Sequence, residues 1–128
     1  MTHVLHKILY VEDEPDIQTV ARIALEDVGG YTVHICNNSQ EALAAAEDFA
    51  PDLLLLDVML PGMDGPTTLS ELRKLPGLAD TPAMFMTAKV QPQEVQKLRN
   101  QGAIGVITKP FDPMTLARTV REIWDDAD

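Results

Sequence analysis

The sequence predicts an α/β fold, a doubly wound five-stranded parallel sheet of order 2-1-3-4-5 with helices on both faces. Three observations predict it. Five short β-rich runs alternate with five helical patterns, the arrangement of parallel strands joined by crossover helices. The run Leu53 to Leu56 is apolar at every position, as suits a strand covered on both sides. Four of the five runs end in a residue able to do chemistry, and open parallel sheets bind ligands outside their carboxyl ends.

The first strand, Lys7 to Val11, ends abruptly at Glu12-Asp13-Glu14. Pro15 fits a first helical turn, and Ile17, Val20, Ala21, Ala24, Leu25 and Val28 follow at helical spacing as its inward face. Gly29-Gly30 stops that helix. Tyr31 to Cys36 reads as the second strand, and Asn37, Asn38 and Ser39 are cap candidates for a helix that buries Ala42, Leu43, Ala46 and Phe49. The third strand delivers Asp57, and the turn Leu60-Pro61-Gly62-Met63-Asp64-Gly65 leads into a helix with Leu69, Leu72 and Leu75 inward, closed by Pro76-Gly77. Ala83 to Met86 forms the fourth strand and ends at Thr87-Ala88, before a helix carrying Val95 and Leu98. Ala103 to Thr108 forms the fifth and ends at Lys109-Pro110. A last helix begins near Asp112-Pro113 and buries Leu116, Val120 and Ile123, while its Trp124 covers an edge or belongs to a partner surface, burial being favoured.

The 128 residues fit one domain, 1–128, with a core over about 7–124 and an acidic tail, 125–128, expected to fray. An apolar content of 45% argues against disorder. No apolar run approaches the length of a membrane span, and no secretory leader pattern is present. Cys36 has no partner cysteine, which excludes an internal disulfide and a paired-cysteine metal site and fits a reducing cytoplasm. A formal net charge of −10 repels a polyphosphate backbone, so direct nucleic acid binding is not expected.

Under the 2-1-3-4-5 order the ends of the first, third, fourth and fifth strands are neighbours, which gathers Glu12, Asp13, Asp57, Thr87 and Lys109 at one rim. Carboxylates in one crevice repel unless a cation intervenes, and a hard divalent ion with oxygen ligands, Mg²⁺ above all, relieves this. Lys109 supplies a fixed cation able to pair with Asp57, and Thr87 a hydroxyl donor. With no His, Cys or Ser at a strand end of this group, Asp57 is the natural nucleophile, and aspartate forms acyl phosphates. Each residue also has an ordinary reading. Acidic residues after a strand often cap the next helix, and a lone lysine is usually solvated. Asp52 and Asp64 are assigned to turn and cap roles, His3, His6 and His34 to the surface or sheet edge, Cys36 to structure, and the methionines to packing and loops.

The segments Leu9-Tyr10-Val11-Glu12-Asp13-Glu14, Leu54-Leu55-Leu56-Asp57, Leu60-Pro61-Gly62-Met63-Asp64-Gly65, Met86-Thr87-Ala88 and Thr108-Lys109-Pro110-Phe111 occur together and in order. In this the chain resembles the receiver domain of two-component response regulators, similar to the stand-alone chemotaxis type, whose fold is flavodoxin-like. The resemblance implies that Asp57 takes a phosphoryl group from a phosphohistidine on a sensor histidine kinase or a histidine phosphotransfer protein. It implies Mg²⁺ held by Asp13, Asp57 and the Met59 backbone carbonyl, with Glu12 acting mainly through water. Lys109 and Thr87 would contact the phosphoryl oxygens, Ala88 would keep the mouth open, and the peptide before Pro110 would be cis. The surface of the fourth helix, fifth strand and fifth helix is where the family binds downstream proteins or forms homodimers.

Three positions depart from the pattern or tune it. Val106 stands where many receivers carry a switching aromatic, so coupling is expected through the loops near Lys89 and Met59 instead. Met59 and Lys89 occupy the positions that set phosphoryl lifetime. Neither orients water as a carboxylate or amide would, so self-dephosphorylation is expected to be slow. Met59 also excludes an aspartyl phosphatase of the haloacid dehalogenase type, which needs a second acid there. A flavin carrier on the same fold is excluded by Glu12-Asp13-Glu14, which would repel a cofactor phosphate.

Overall fold

The computed structural model describes residues 4–127. In chain order it comprises β1 (Lys7–Val11), α1 (Pro15–Arg22) continued by a π-helical segment (Ile23–Val28), β2 (Thr32–Cys36), α2 (Ser39–Phe49), β3 (Leu53–Asp57), α3 (Gly65–Leu72), β4 (Ala83–Thr87), α4 (Pro92–Asn100), β5 (Gly105–Thr108) and α5 (Leu116–Asp126). The five strands form one sheet of order β2-β1-β3-β4-β5, and every pairing is parallel.

Alternation along the strands divides the core into two layers. Ile8 and Tyr10 of β1, Leu53 and Leu55 of β3, and Met84 and Met86 of β4 face Ala21, Ala24 and Leu25 and the α5 residues Leu116, Val120 and Trp124. Leu9, Val11, Leu54, Leu56, Ala83 and Phe85 face Ala42 and Ala46 of α2, Leu69 and Leu72 of α3, and Leu98 of α4. Residues Leu53 to Leu56 are entirely buried, which explains why that run carries no polar alternation.

Local signals set the element ends. Asn38 caps α2 by accepting from the Glu41 backbone N–H at 2.8 Å, and Asp64 caps α3 by accepting from Thr67 N–H at 2.8 Å. Asp52 instead ties β3 to β1, one carboxylate oxygen accepting from the N–H groups of His6 (3.0 Å) and Lys7 (2.8 Å). Gly105 lets α5 lie close on β5, because a side chain there would collide with Ile123.

The structure corrects several sequence expectations. Val20 and Val28 are exposed rather than inward, and Ile23 beside them is exposed too. Ala24 and Leu25 are inward as expected, and the π-helical winding from Ile23 turns Val28 to solvent. β5 begins at Gly105, not Ala103, and α5 begins at Leu116, after a turn in which Asp112 Oδ1 accepts from Met114 N–H at 2.9 Å. The acidic tail is helical through Asp126, where the expectation was fraying. Leu43, Phe49, Leu75, Val95 and Ile123 are half-buried. Trp124 is buried at 3% exposure and Cys36 fully. His6 and His34 are exposed, the latter on the edge strand β2; His3 and Asp128 lie outside the described residues.

Candidate phosphoryl-acceptor site

The parallel register places the strand ends side by side. Val11 pairs with Leu56, Asp57 with Met86, and Thr87 with Thr108, so the residues that follow converge at one rim. Backbone bonds prolong the ladder past the strands: Glu12 N–H donates to Cys36 C=O (3.0 Å), Val58 N–H to Met86 C=O (3.0 Å) and Lys109 N–H to Thr87 C=O (2.9 Å). The residues of interest are thus held by sheet hydrogen bonds, not by free loops.

Asp57 is buried at 4% exposure and Glu12 at 0%. Carboxylate oxygens of Glu12, Asp13 and Asp57 all lie within 4.8 Å of one another. Lys109 Nζ bridges two of them, donating to Glu12 Oε1 at 2.8 Å and to Asp57 Oδ2 at 3.0 Å. Burial alone would push the Lys109 ammonium down; its hydrogen bonds and attraction to Glu12 and Asp57 outweigh that and hold it above the ordinary lysine value. The second Asp57 oxygen accepts from the Met59 backbone N–H at 3.3 Å.

Three formal negative charges against one ammonium leave this rim electron-rich. The donor set is all oxygen, which matches a hard divalent ion and not a soft one. Glu12 is the most constrained of the three. Its Oε1 accepts from Tyr10 Oη (3.1 Å) as well as from Lys109, and its Oε2 accepts from Glu14 N–H (3.2 Å).

The loop after Asp57 is pressed onto the site. Gly65 N–H donates to Val58 C=O at 3.0 Å, and a Cβ on Gly65 would sit 2.5 Å from the Asp57 carbonyl oxygen. Ser39 and Thr68 brace the same loop, sharing a 2.6 Å hydrogen bond while Ser39 Oγ donates to Met63 C=O at 3.1 Å. On the other side, Thr87 is buried at 3% exposure and its Oγ1 accepts from Lys89 N–H at 3.0 Å, which leaves its own proton to donate.

Met59, Ala88 and Lys89 stand beside this rim, and Val106 does not. Ala88 and Lys89 are exposed beside Thr87, and the Met59 side chain is 68% exposed. Val106 is half-buried against the α2–α3–α4 layer. The Lys109–Pro110 peptide is cis. Two contributors were not singled out beforehand: Tyr10, and Gln18, whose Nε2 donates to the Glu12 carbonyl (2.5 Å) and to Asn37 Oδ1 (2.7 Å). The two-residue spacing of Tyr10 and Glu12, which puts both on one face, was the available signal for the first.

A parallel sheet of this order binds ligands at its switch point, and that is where the charged cluster stands. Residues 8–121 match the family model of the response regulator receiver domain, and the chain belongs to that family. Among solved structures, the chemotaxis response regulator CheY4 of Vibrio cholerae superposes with a TM-score of 0.84 at 31% identity, covering 94% of this chain and 99% of that one. An uncharacterized 14.6 kDa protein from the sodA1 3′ region of Leptolyngbya boryana is 37% identical over 90% of this chain and 87% of its own length. The DNA-binding response regulator MtrA of Mycolicibacterium smegmatis is 37% identical over 94% of this chain but 51% of its own length. The chain therefore spans about half the length of such transcriptional regulators. Receiver domains are signalling domains of two-component systems that interact with histidine kinases and downstream targets. Among the described residues no helix is long and apolar enough to cross a membrane.

Proposed function

We propose that Asp57 is the phosphoacceptor of a Mg²⁺-dependent transfer from a phosphohistidine on a sensor histidine kinase or histidine phosphotransfer protein. The observation that carries this is the Lys109 ammonium held 3.0 Å from a buried Asp57 carboxylate, with two further carboxylates alongside. Asp57 Oδ attacks phosphorus, the P–O bond forms, and the P–N bond breaks with imidazole as leaving group. Lys109 is placed to pass from Asp57 to a phosphoryl oxygen, and Thr87 to donate its free hydroxyl proton to another. Asp13, Asp57 and the Met59 carbonyl would hold Mg²⁺, with Glu12 acting through water. Bound there, the ion supplies the positive charge that lets a phosphate approach the carboxylates.

The same site hydrolyses its own acyl phosphate, slowly, because Met59 and Lys89 bring no water-orienting carboxylate or amide. Ala88, small and exposed, leaves the entrance open. Residues 1–128 act as a single receiver unit with a core over about 7–124. The phosphorylated form engages a downstream protein, or a second copy, through the α4–β5–α5 surface in the cytoplasm. With Val106 in place of an aromatic, the signal reaches that surface through the loops at Lys89 and Met59. Incubation with Mg²⁺ and acetyl phosphate, followed by intact-mass measurement, tests the reading. The parent gains one phosphoryl group and Asp57→Asn gains none; equal gain in both overturns it.

A further inference from the structure

Tyr10 sits directly beneath the site, on the strand that carries Glu12. Its ring is fully buried in the layer that includes Leu25 and Leu55, where phenylalanine would fill the same space. The hydroxyl is what distinguishes it, and it donates to Glu12 Oε1 at 3.1 Å. That oxygen also accepts from Lys109 Nζ at 2.8 Å, and Lys109 reaches Asp57 Oδ2 at 3.0 Å. A continuous chain of hydrogen bonds thus runs from the core through Tyr10, Glu12 and Lys109 to the proposed phosphoacceptor.

A carboxylate with 0% exposure relies on protein donors to offset the loss of solvation. Glu12 has three: Tyr10 Oη–H, Lys109 Nζ–H and the Glu14 N–H at 3.2 Å. Without the phenolic donor, Lys109 becomes its main source of compensation. The ammonium is then drawn towards Glu12 and away from Asp57, where incoming phosphoryl oxygens need it. Glu12 itself, short of a donor, becomes a stronger ligand for a cation.

We propose that Tyr10 is a positioning residue for phosphoryl acceptance, its hydroxyl neutralising part of the Glu12 charge so that Lys109 is free for Asp57. This rests on the reading of Asp57 given above. Tyr10→Phe removes one oxygen and keeps the ring. Its initial rate of phosphorylation by acetyl phosphate at saturating Mg²⁺ falls roughly five- to tenfold, part of the worth of one hydrogen bond to a charged group because the effect reaches Asp57 through Lys109. Its affinity for Mg²⁺, measured by titration calorimetry, rises over the same substitution. General loosening of the fold would weaken both. In a Glu12→Gln background, where no charge is left to share, Tyr10→Phe changes neither quantity further.

Rate and affinity unchanged in Tyr10→Phe, both reduced, or an effect of equal size in the Glu12→Gln background would each overturn the role of Tyr10. If the parent itself takes no phosphoryl group on Asp57, the acceptor reading falls and this proposal with it. A phosphorylated parent beside an indifferent Tyr10→Phe variant removes the Tyr10 role alone.

Discussion

Lys109 is held between Glu12 and Asp57 with its side chain 15% exposed, so its charge is directed at the carboxylates and little of it is spent on solvent. On the open side of the site, Met59 and Lys89 are both exposed, and neither side chain carries the carboxylate or amide that would orient water. Met59→Asn is expected to shorten the lifetime of the acyl phosphate by about tenfold, less than a general base would give because an amide orients water without taking its proton. Its decay, followed by loss of phosphoryl mass after the donor is removed, checks this; an unchanged half-life removes the role of position 59 in setting the lifetime. At the end of β2, Cys36 is fully buried, and burial, with Glu41 nearby, pushes its thiol up to about 12. The unfolded thiol ionises near 8.5, so above that pH the unfolded chain loses a proton that the folded chain keeps. Stability from this group is therefore intact below about pH 8.5 and falls by up to about 1.4 kcal/mol per pH unit as pH rises towards the folded value. Urea unfolding of the parent and Cys36→Ala at pH 8.0 and 9.5 measures it, the parent showing the steeper fall.

At the scale of elements, α2 ends at Ala50, whose φ of 51° is left-handed, a conformation that costs a side-chain-bearing residue about 1–2 kcal/mol. Ala50→Gly is expected to stabilise the fold by about 0.5–1 kcal/mol despite the added freedom of the unfolded chain, read as a higher midpoint in urea. Asp64→Ala, which removes the cap on α3, should cost about 1 kcal/mol. The caps and the strands were legible in the sequence because each rests on local chemistry. Asn38 and Asp64 precede helical patterns, and Leu53 to Leu56 alternate with nothing because both faces are covered. The second half of the first helix was not legible. Ile23 to Val28 fits α-helical spacing as written, and the wider winding is set by the folded backbone rather than by any local sequence signal. The rim residues were legible as strand ends, whereas the shared donation of Tyr10 and Lys109 to one Glu12 oxygen depends on side-chain geometry that strand order does not specify.

For the whole molecule, three of the 20 acidic side chains, Glu12, Asp13 and Asp57, gather at one end of the sheet. Three carboxylates within 4.8 Å repel one another in the apo protein. Mg²⁺ at a hundredfold excess over its dissociation constant should stabilise the fold by about 2.7 kcal/mol, raising the thermal midpoint by several degrees. Asp13→Asn should melt higher than the parent without Mg²⁺ and gain little when the ion is added. A midpoint in the parent that ignores Mg²⁺ would contradict the metal assignment. The two core layers share one sheet, so loss of either exposes the other. Fluorescence of Trp124, on the buried face of α5, and far-ultraviolet circular dichroism should report one coincident transition. The most direct measurement joins chemistry to position: the protein, treated with Mg²⁺ and acetyl phosphate, is reduced with borohydride, which converts an aspartyl phosphate to homoserine, and its peptides are then mapped by mass spectrometry. The account predicts homoserine at position 57 and nowhere else. Conversion at Asp13, at Glu12 or at a distant residue, with position 57 intact, would contradict it.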